Sequence, residues 1–336
     1  MTVMARAVEA ASDAALARFC GLPGDAPIDP STVRRHAPDA SWMLAGGDGE
    51  VVARCSLWWR STPALPGHKV GLVGHWAAAG REAARDLLQV ACDELAARGS
   101  TIAVAPMDGS TWRRYRVLAD RGDEPRFFLE PDNPDEWPAY FVESGFETLA
   151  RYVSTVNPEL HRLEPRIPEI AARLGAEGIR IRTLRPERFD DDLRRIHSVA
   201  LAAFSENLLW SPIGLGEFLA QYSPLAAWIR PELVLLAERG ERPVGFLFAL
   251  PDLRQLGHRA TIDTVVMKTL AVLPEEAGAG LGSLLTARGY EAARRLGYVR
   301  AIHALMHETN ASTRIRATST RTIRSYVLYA KALGGG

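Results

Sequence analysis

Lysine is almost missing from this chain: of its 40 basic residues only Lys69, Lys268 and Lys331 are lysines, and the rest are arginines. Such a bias points to a GC-rich bacterial genome more than to a functional patch. An excess of charge is missing too, because 40 acidic residues balance the 40 basic ones. With no cationic surplus to neutralise a phosphate backbone, nucleic acid is not expected as a partner. Cysteine is scarce, and Cys20, Cys55 and Cys92 are odd in number, far apart and without metal or redox spacing. They read as reduced packing residues of a cytosolic protein. No apolar run approaches the ~20 residues that a membrane span needs, and Glu9 and Asp13 interrupt the N-terminal stretch before it could serve as a signal core. A cytoplasmic protein with no membrane partner is the expectation. Catalytic signatures of the metal and serine classes are lacking as well, with no His-Glu-x-x-His and no Gly-x-Ser-x-Gly. His303 and His307 have no third ligand, so no metal is expected.

What is present suffices for a folded protein. With 47% hydrophobic and 24% charged residues over 336 positions, the chain can bury a sizeable core, and its length favours two domains. The clearest pattern lies in the last third. The β-branched and apolar run Thr261 to Leu273 reads as a strand buried on both faces. Ser283 to Leu296 has helical spacing, with Gly297 where a helix ends, and Tyr298 to Leu305 returns to strand. A fainter copy lies about 190 to 200 residues earlier: strand Lys69 to Trp76, helix Glu82 to Ala97, strand Thr101 to Ala105. The three-proline segment Pro158 to Gly178 is the expected linker. After it, strand Ile179 to Leu184, helices Phe189 to Phe204 and Gly216 to Tyr222, and an antiparallel pair Glu232 to Glu238 and Pro243 to Leu250 complete the order β-α-α-β-β-β-α-β. The tryptophans Trp58, Trp59, Trp76 and Trp112 read as core aromatics, with a groove lining as the alternative.

The most informative segment is Pro274 to Leu285, PEEAGAGLGSLL. Glycines at 278, 280 and 282 permit close backbone approach, and the loop enters a helix whose free N–H groups and positive dipole end form an anion site. A Rossmann fingerprint would need glycine where Ser283 stands and more βαβ chain after it. A Walker A loop would need a lysine, and none is present. An ordinary tight strand-to-helix turn is the plain alternative to a phosphate site.

Strand, Gly-x-Gly-x-Gly turn and helix resemble the pyrophosphate loop of the GNAT superfamily, the acetyl-CoA-dependent N-acyltransferases. The resemblance spans Ile179 to Leu333 in element order and is strongest from Leu270 to Gly297, with Ala277 replacing the family's usual Arg or Gln. It implies two GNAT-like domains, each an α/β mixed sheet flanked by helices: residues 1–157, a linker 158–178, and residues 179–336. The first half repeats the family's ending in Asn133, Tyr140 and Gly145-Phe146. Its own loop has only Gly80, so it reads as a degenerate copy serving as scaffold or substrate lid.

Carried over residue by residue, the resemblance places the pantetheine arm and thioester against the backbone of Leu270 and Val272. It places the pyrophosphate on Gly278, Ala279, Gly280, Leu281, Gly282 and Ser283, and Asn310 beside the CoA thiol. The family's tyrosine position holds Ala317, which leaves Tyr326 as the candidate acid or else a core tyrosine of the final strand. Glu206, in the loop FSENLLWSP, is the candidate base acting through water, or a solvated loop carboxylate. The implied activity is transfer of an acetyl or other short acyl group from acyl-CoA to an amine of a small molecule or peptide. The alternative is a GNAT fold that binds or senses acyl-CoA without catalysis.

Overall fold

The computed structural model describes residues 6–22, 28–47, 49–257, 259, 261–309 and 320–334. In the first half come strand β1 (Arg6–Glu9), helices α1 (Asp13–Cys20) and α2 (Pro30–His36), and strands β2 (Ala40–Ala45), β3 (Val51–Trp58) and β4 (Val70–Ala78). Helix α3 (Arg81–Ala97) then crosses over to β5 (Ile102–Ala105), parallel to β4, and β6 (Val117–Asp120), α4 (Trp137–Glu143) and β7 (Glu147–Asn157) follow. The expected linker contains a helix, α5 (Ile167–Ala176). The second half repeats the plan with β8 (Ile179–Thr183), α6 (Phe189–Ala203), α7 (Leu215–Tyr222), β9 (Val234–Arg239), β10 (Arg242–Pro251) and β11 (Thr264–Val272). Helix α8 (Leu281–Arg295), the parallel strand β12 (Arg300–His307) and β13 (Arg321–Ala332) close it. No helix among the described residues is long and apolar enough to cross a membrane.

Local chemistry sets these boundaries. The Ser12 hydroxyl accepts the Ala15 N–H at the start of α1, and the Asp29 carboxylate does the same for Ser31 ahead of Pro30 in α2. Helix α6 opens on Asp190, Asp191 and Asp192, and α8 closes on Arg294 and Arg295, each matching the helix dipole. Gly297, at φ +89°, ends α8 in a left-handed turn.

The two mixed sheets are joined into one of 13 strands, in the order β1-β2-β3-β4-β5-β13-β7-β12-β11-β10-β9-β8, with β6 also paired to β13. Each half therefore lends its last strand to the other. β13 pairs with β5 and β6 of the first half, and β7 pairs with β12 of the second. Between them β7 and β13 run antiparallel, Tyr326 opposite Tyr152. The cores follow the exchange: Val327 and Tyr329 belong to the first half's core, where Tyr329 stacks on Phe141 with ring centroids 5.3 Å apart. Tyr326 and Leu328 lie on the other face with Trp58, Val70 and Leu72, as strand alternation requires. Residues 157 and 179 thus divide the chain without dividing the sheet.

At the far edge, Asp192 is buried and accepts hydrogen bonds from Arg182 at 2.8 Å, from the Arg185 guanidinium at 2.6 Å and from the Arg185 N–H at 2.9 Å. Burial works to raise its pKa, but the two guanidiniums and the N–H prevail and hold it down at about 2. A carboxylate depressed in the folded state stabilises above its unfolded pKa and ceases to do so as pH falls through the folded value. Asp192→Asn is therefore expected to cost roughly 2 kcal/mol at neutral pH by this linkage. In urea melts, the gap to wild type should be full above about pH 4 and close towards pH 2. A gap that does not change with pH would show that the pair contributes through shape and not charge.

Candidate active site

In the second half, β11 and β12 share four rungs, Thr264 to Met267 against Arg300 to His303, and then part. Two irregularities open them. The β10–β11 register shifts so that Phe248 faces Thr269 while Ala249 faces Met267, leaving Lys268 in a bulge. The β12–β7 register shifts between His303 and Met306, and Leu305 takes a left-handed φ of +59°. Beyond the last rung the facing backbone groups of 268–272 and 304–307 have no strand between them. This happens in the middle of a sheet, where buried N–H and C=O groups normally find partners.

A cleft of about 1340 Å³ opens at this parting. Its walls come from β11 (Val266 to Leu270), β12 (His303 to His307), the 204–210 and 218–225 segments, and the first half's 111–134 segment. Lys268 stands inside it, its ammonium 3.5 Å from the Tyr222 hydroxyl and 5.3 Å from the centre of that ring. His303 accepts or shares a proton with the Tyr290 hydroxyl at 2.5 Å, and burial lowers its pKa to about 4, so the imidazole is neutral at pH 7. Trp112 tilts against Phe204 and donates its indole N–H to the Ser211 carbonyl at 2.7 Å, fastening the first half's segment over the cleft.

The glycine loop follows β11. Gly278 and Gly280 hold φ of +79° and +83°, conformations other residues rarely adopt. The first bond of α8 runs from the Leu284 N–H to the Gly280 carbonyl, so the N–H groups of 281–283 project from the helix end. A Cβ at Gly278 would meet nothing within 4 Å, whereas one at Gly280 would lie 3.0 Å from Ile170 of α5. Arg173 of α5 donates to the Ala279 carbonyl. The expected linker thus braces the loop from the side away from open space. Room at 278 and free N–H groups at 281–283 fit a bound pyrophosphate.

The predicted site residues are not all brought together. Leu270 and Glu206 line the cleft. Gly278 to Ser283 form the loop beyond it, and Val272 packs half-buried against the second half's core. Asn310 lies outside the described residues. Tyr326 lies apart from the cleft lining: it is fully buried, and its hydroxyl donates to Glu130 at 2.6 Å and meets Ser154 at 3.2 Å. Burial, with Glu130 close by, pushes the phenol well above its ordinary range. Sequence reasoning missed Lys268, Tyr222, Arg116 and the whole 111–134 wall. Lys268 did carry a signal, being one of three lysines and a charge within the buried run TVVMKTLAV.

The first half's counterpart of the cleft is shut. After rungs Val70 to Leu72, the Met107 N–H bonds the Val73 carbonyl at 2.8 Å. A Cβ on Gly74 would stand 2.2 Å from the Met107 carbonyl oxygen. Beside it His36, His75 and Asp108 bring potential ligand atoms within 4.8 Å of one another. The His36 and His75 nitrogens, 2.8 Å apart, share a hydrogen bond, and His75 continues to Ser56 at 2.9 Å. Burial, reinforced by Arg113 at both rings and by Arg54 and Arg114 at His75, lowers these imidazoles to about 4 and about 3. Such surrounding cations oppose a metal ion.

Residues 201–316 match the Acetyltransferase (GNAT) family. No curated protein matches the sequence. Among solved structures, a GCN5-related N-acetyltransferase from Sphaerobacter thermophilus aligns over 100% of this chain and 98% of its own, at 16% identity and TM-score 0.52. A tandem GNAT protein from the clavulanic acid biosynthesis pathway aligns over 99% and 100%, at 15% and 0.52. A GCN5-related glucosamine N-acetyltransferase region of a fungal multi-domain GH3 β-N-acetylglucosaminidase aligns over 98% of this chain but 38% of that one, at 14% and 0.55. At these identities the likeness is one of fold, and the shared fold is the tandem arrangement.

Proposed function

We propose that this chain, a tandem GNAT-fold protein with a GNAT-family match in its second half, transfers a short acyl group from acyl-CoA to an amine at the parting of β11 and β12. The observation that carries the reading is the edge of 268–272 that faces β12 without pairing to it, in line with a helix N-terminus behind a glycine loop. An amide-bearing pantetheine arm would satisfy the first, and its pyrophosphate the second. Backbone N–H groups near the bulge at Lys268 would polarise the thioester carbonyl as negative charge develops on its oxygen. The transfer forms a C–N bond and breaks the C–S bond. One proton leaves the ammonium to free the lone pair, for which Glu206 at the cleft wall is the carboxylate available. A second passes from nitrogen to the thiolate, and Tyr222, beside the Lys268 ammonium, is the phenol placed to relay it. The first half, with its own parting closed, serves as scaffold and roof. The Tyr326 hydroxyl, taken up by Glu130 and Ser154, favours one second reading, binding of acyl-CoA without turnover.

Acetyl-CoA should slow hydrogen exchange at the amides of 270–283 and leave 76–88 unchanged, because three glycines open one loop and one the other. Protection centred on 76–88 would assign the site to the wrong half. Thiol release from acetyl-CoA across an amine panel then separates catalysis from binding alone.

A further inference from the structure

We propose that Arg116 is an anion receptor for the acceptor: the amine acylated in this cleft also carries a negatively charged group, foremost a carboxylate. The inference rests on the acyl-transfer reading of the same cleft.

Arg116 lines the cleft yet is only 7% exposed. Its guanidinium lies 3.9 Å from the Tyr115 ring centre and 4.2 Å from that of Tyr152. Among the described residues one hydrogen bond holds it, Nη1 to the Leu305 carbonyl at 3.3 Å, and its buried Nε has no partner there. A guanidinium offers five donors and carries its charge at any accessible pH. Among the described residues no carboxylate pairs with it. Of the other arginines on these walls, Arg113 pairs with Glu217, and Arg121 and Arg126 with Asp132, while Arg114 is exposed to solvent and donates to the Asp132 carbonyl. A buried charge left without a counter-ion is costly unless a ligand supplies one.

The backbone is bent to hold it there. Arg116 has a left-handed φ of +66°, fixed by its N–H on the Pro106 carbonyl at 2.9 Å. The carbonyl it grips belongs to Leu305, also left-handed, whose N–H donates to Ser154 Oγ at 3.1 Å. Strained backbone on both sides of one contact marks a position held for use. Leu305 lies two residues past the last β11–β12 rung at His303, on the strand that parts from the one that would hold the thioester. Lys268 is a second cation in the cleft without a carboxylate among the described residues. The planar fork of Arg116 suits a carboxylate bidentately, and its place beside the transfer point requires that the anion and the amine belong to one small molecule.

The test uses the full chain, acetyl-CoA, and matched probes: short amino acids, the amines left when their carboxylate is removed, and aminoalkyl phosphates. Wild type should favour the carboxylated member of each pair. Arg116→Met, which keeps the apolar packing on the two tyrosines, should raise KM for the carboxylated probes by about 10- to 100-fold, the range of a charge-assisted pair. It should leave their decarboxylated partners unchanged and the melting temperature level or higher. Arg116→Lys should restore part of the preference. A preference for aminoalkyl phosphates, lost in the same variant, supports the receptor with phosphate as its anion. Equal losses for charged and uncharged amines, or no preference in wild type, would overturn the proposal by reducing Arg116 to a prop for Leu305. If no probe is acylated, the transfer reading fails separately. The receptor then stands if carboxylated probes still raise the melting temperature of CoA-loaded wild type but not of Arg116→Met, and falls if they do not.

Discussion

Ser283→Glu is expected to weaken CoA binding by roughly 100-fold while leaving the melting temperature level or slightly raised. The reason is that one carboxylate meets two opposite demands. At the third position of α8 a glutamate complements the helix dipole and suits a helix start, so the fold gains. For a pyrophosphate seated on the same N–H groups, an added negative charge about 5 Å away costs a few kcal/mol at an effective dielectric near 20. Gly280 is the less suitable position for this test, since any side chain there meets Ile170 before it meets a ligand. A calorimetric titration in which Ser283→Glu binds CoA like wild type would remove the loop from the site.

Glu130→Ala is expected to destabilise the protein by about 3–5 kcal/mol, the cost of leaving one member of a buried ion pair alone. Arg324 Nε lies 2.9 Å from Glu130 Oε1, and both side chains are 1% exposed. The pair ties the last strand to a loop of the first half, and Tyr326 donates to the same carboxylate. Because β13 completes the first half's sheet, the loss should appear as one lowered cooperative transition instead of a separate melting of either half. Tyr326→Phe should cost less, about 1–3 kcal/mol for a hydrogen bond to a charged acceptor. Acyl transfer per folded molecule should change little in that variant, in contrast to the roughly 10²- to 10⁴-fold fall that loss of a general acid brings. Two transitions in Glu130→Ala would mean that the halves fold independently. A selective collapse of turnover in Tyr326→Phe would restore the acid role.

Legibility followed the range of the interactions. The strand, turn and helix from 264 to 295, the matching unit from 70 to 105, and the antiparallel pair at 234–251 are encoded by periodicity and by glycine, and they appear within a few residues of where the pattern put them. The glycine loop was legible for the same reason, as helix-end N–H groups and left-handed glycines are properties of a dozen neighbouring residues. The segment 158–178 was half legible: its prolines mark a connection, but that Ile170 and Arg173 brace the loop depends on α5 packing beside α8.

The sequence alone determined the elements, their order, the duplicated plan and the loop, because each rests on backbone preferences and side-chain spacing within one stretch of chain. Only the tertiary structure decided which strand neighbours which. Tyr326 reads equally as a candidate acid or a core tyrosine until β13 is seen to lie between β5 and β7, where its hydroxyl faces Glu130, 196 residues away. Arg116 reads as one arginine among many until the fold withholds a carboxylate from it and turns it into the cleft. Strand exchange and charge pairing are long-range choices, settled by which apolar faces and buried charges find one another when the whole sheet closes.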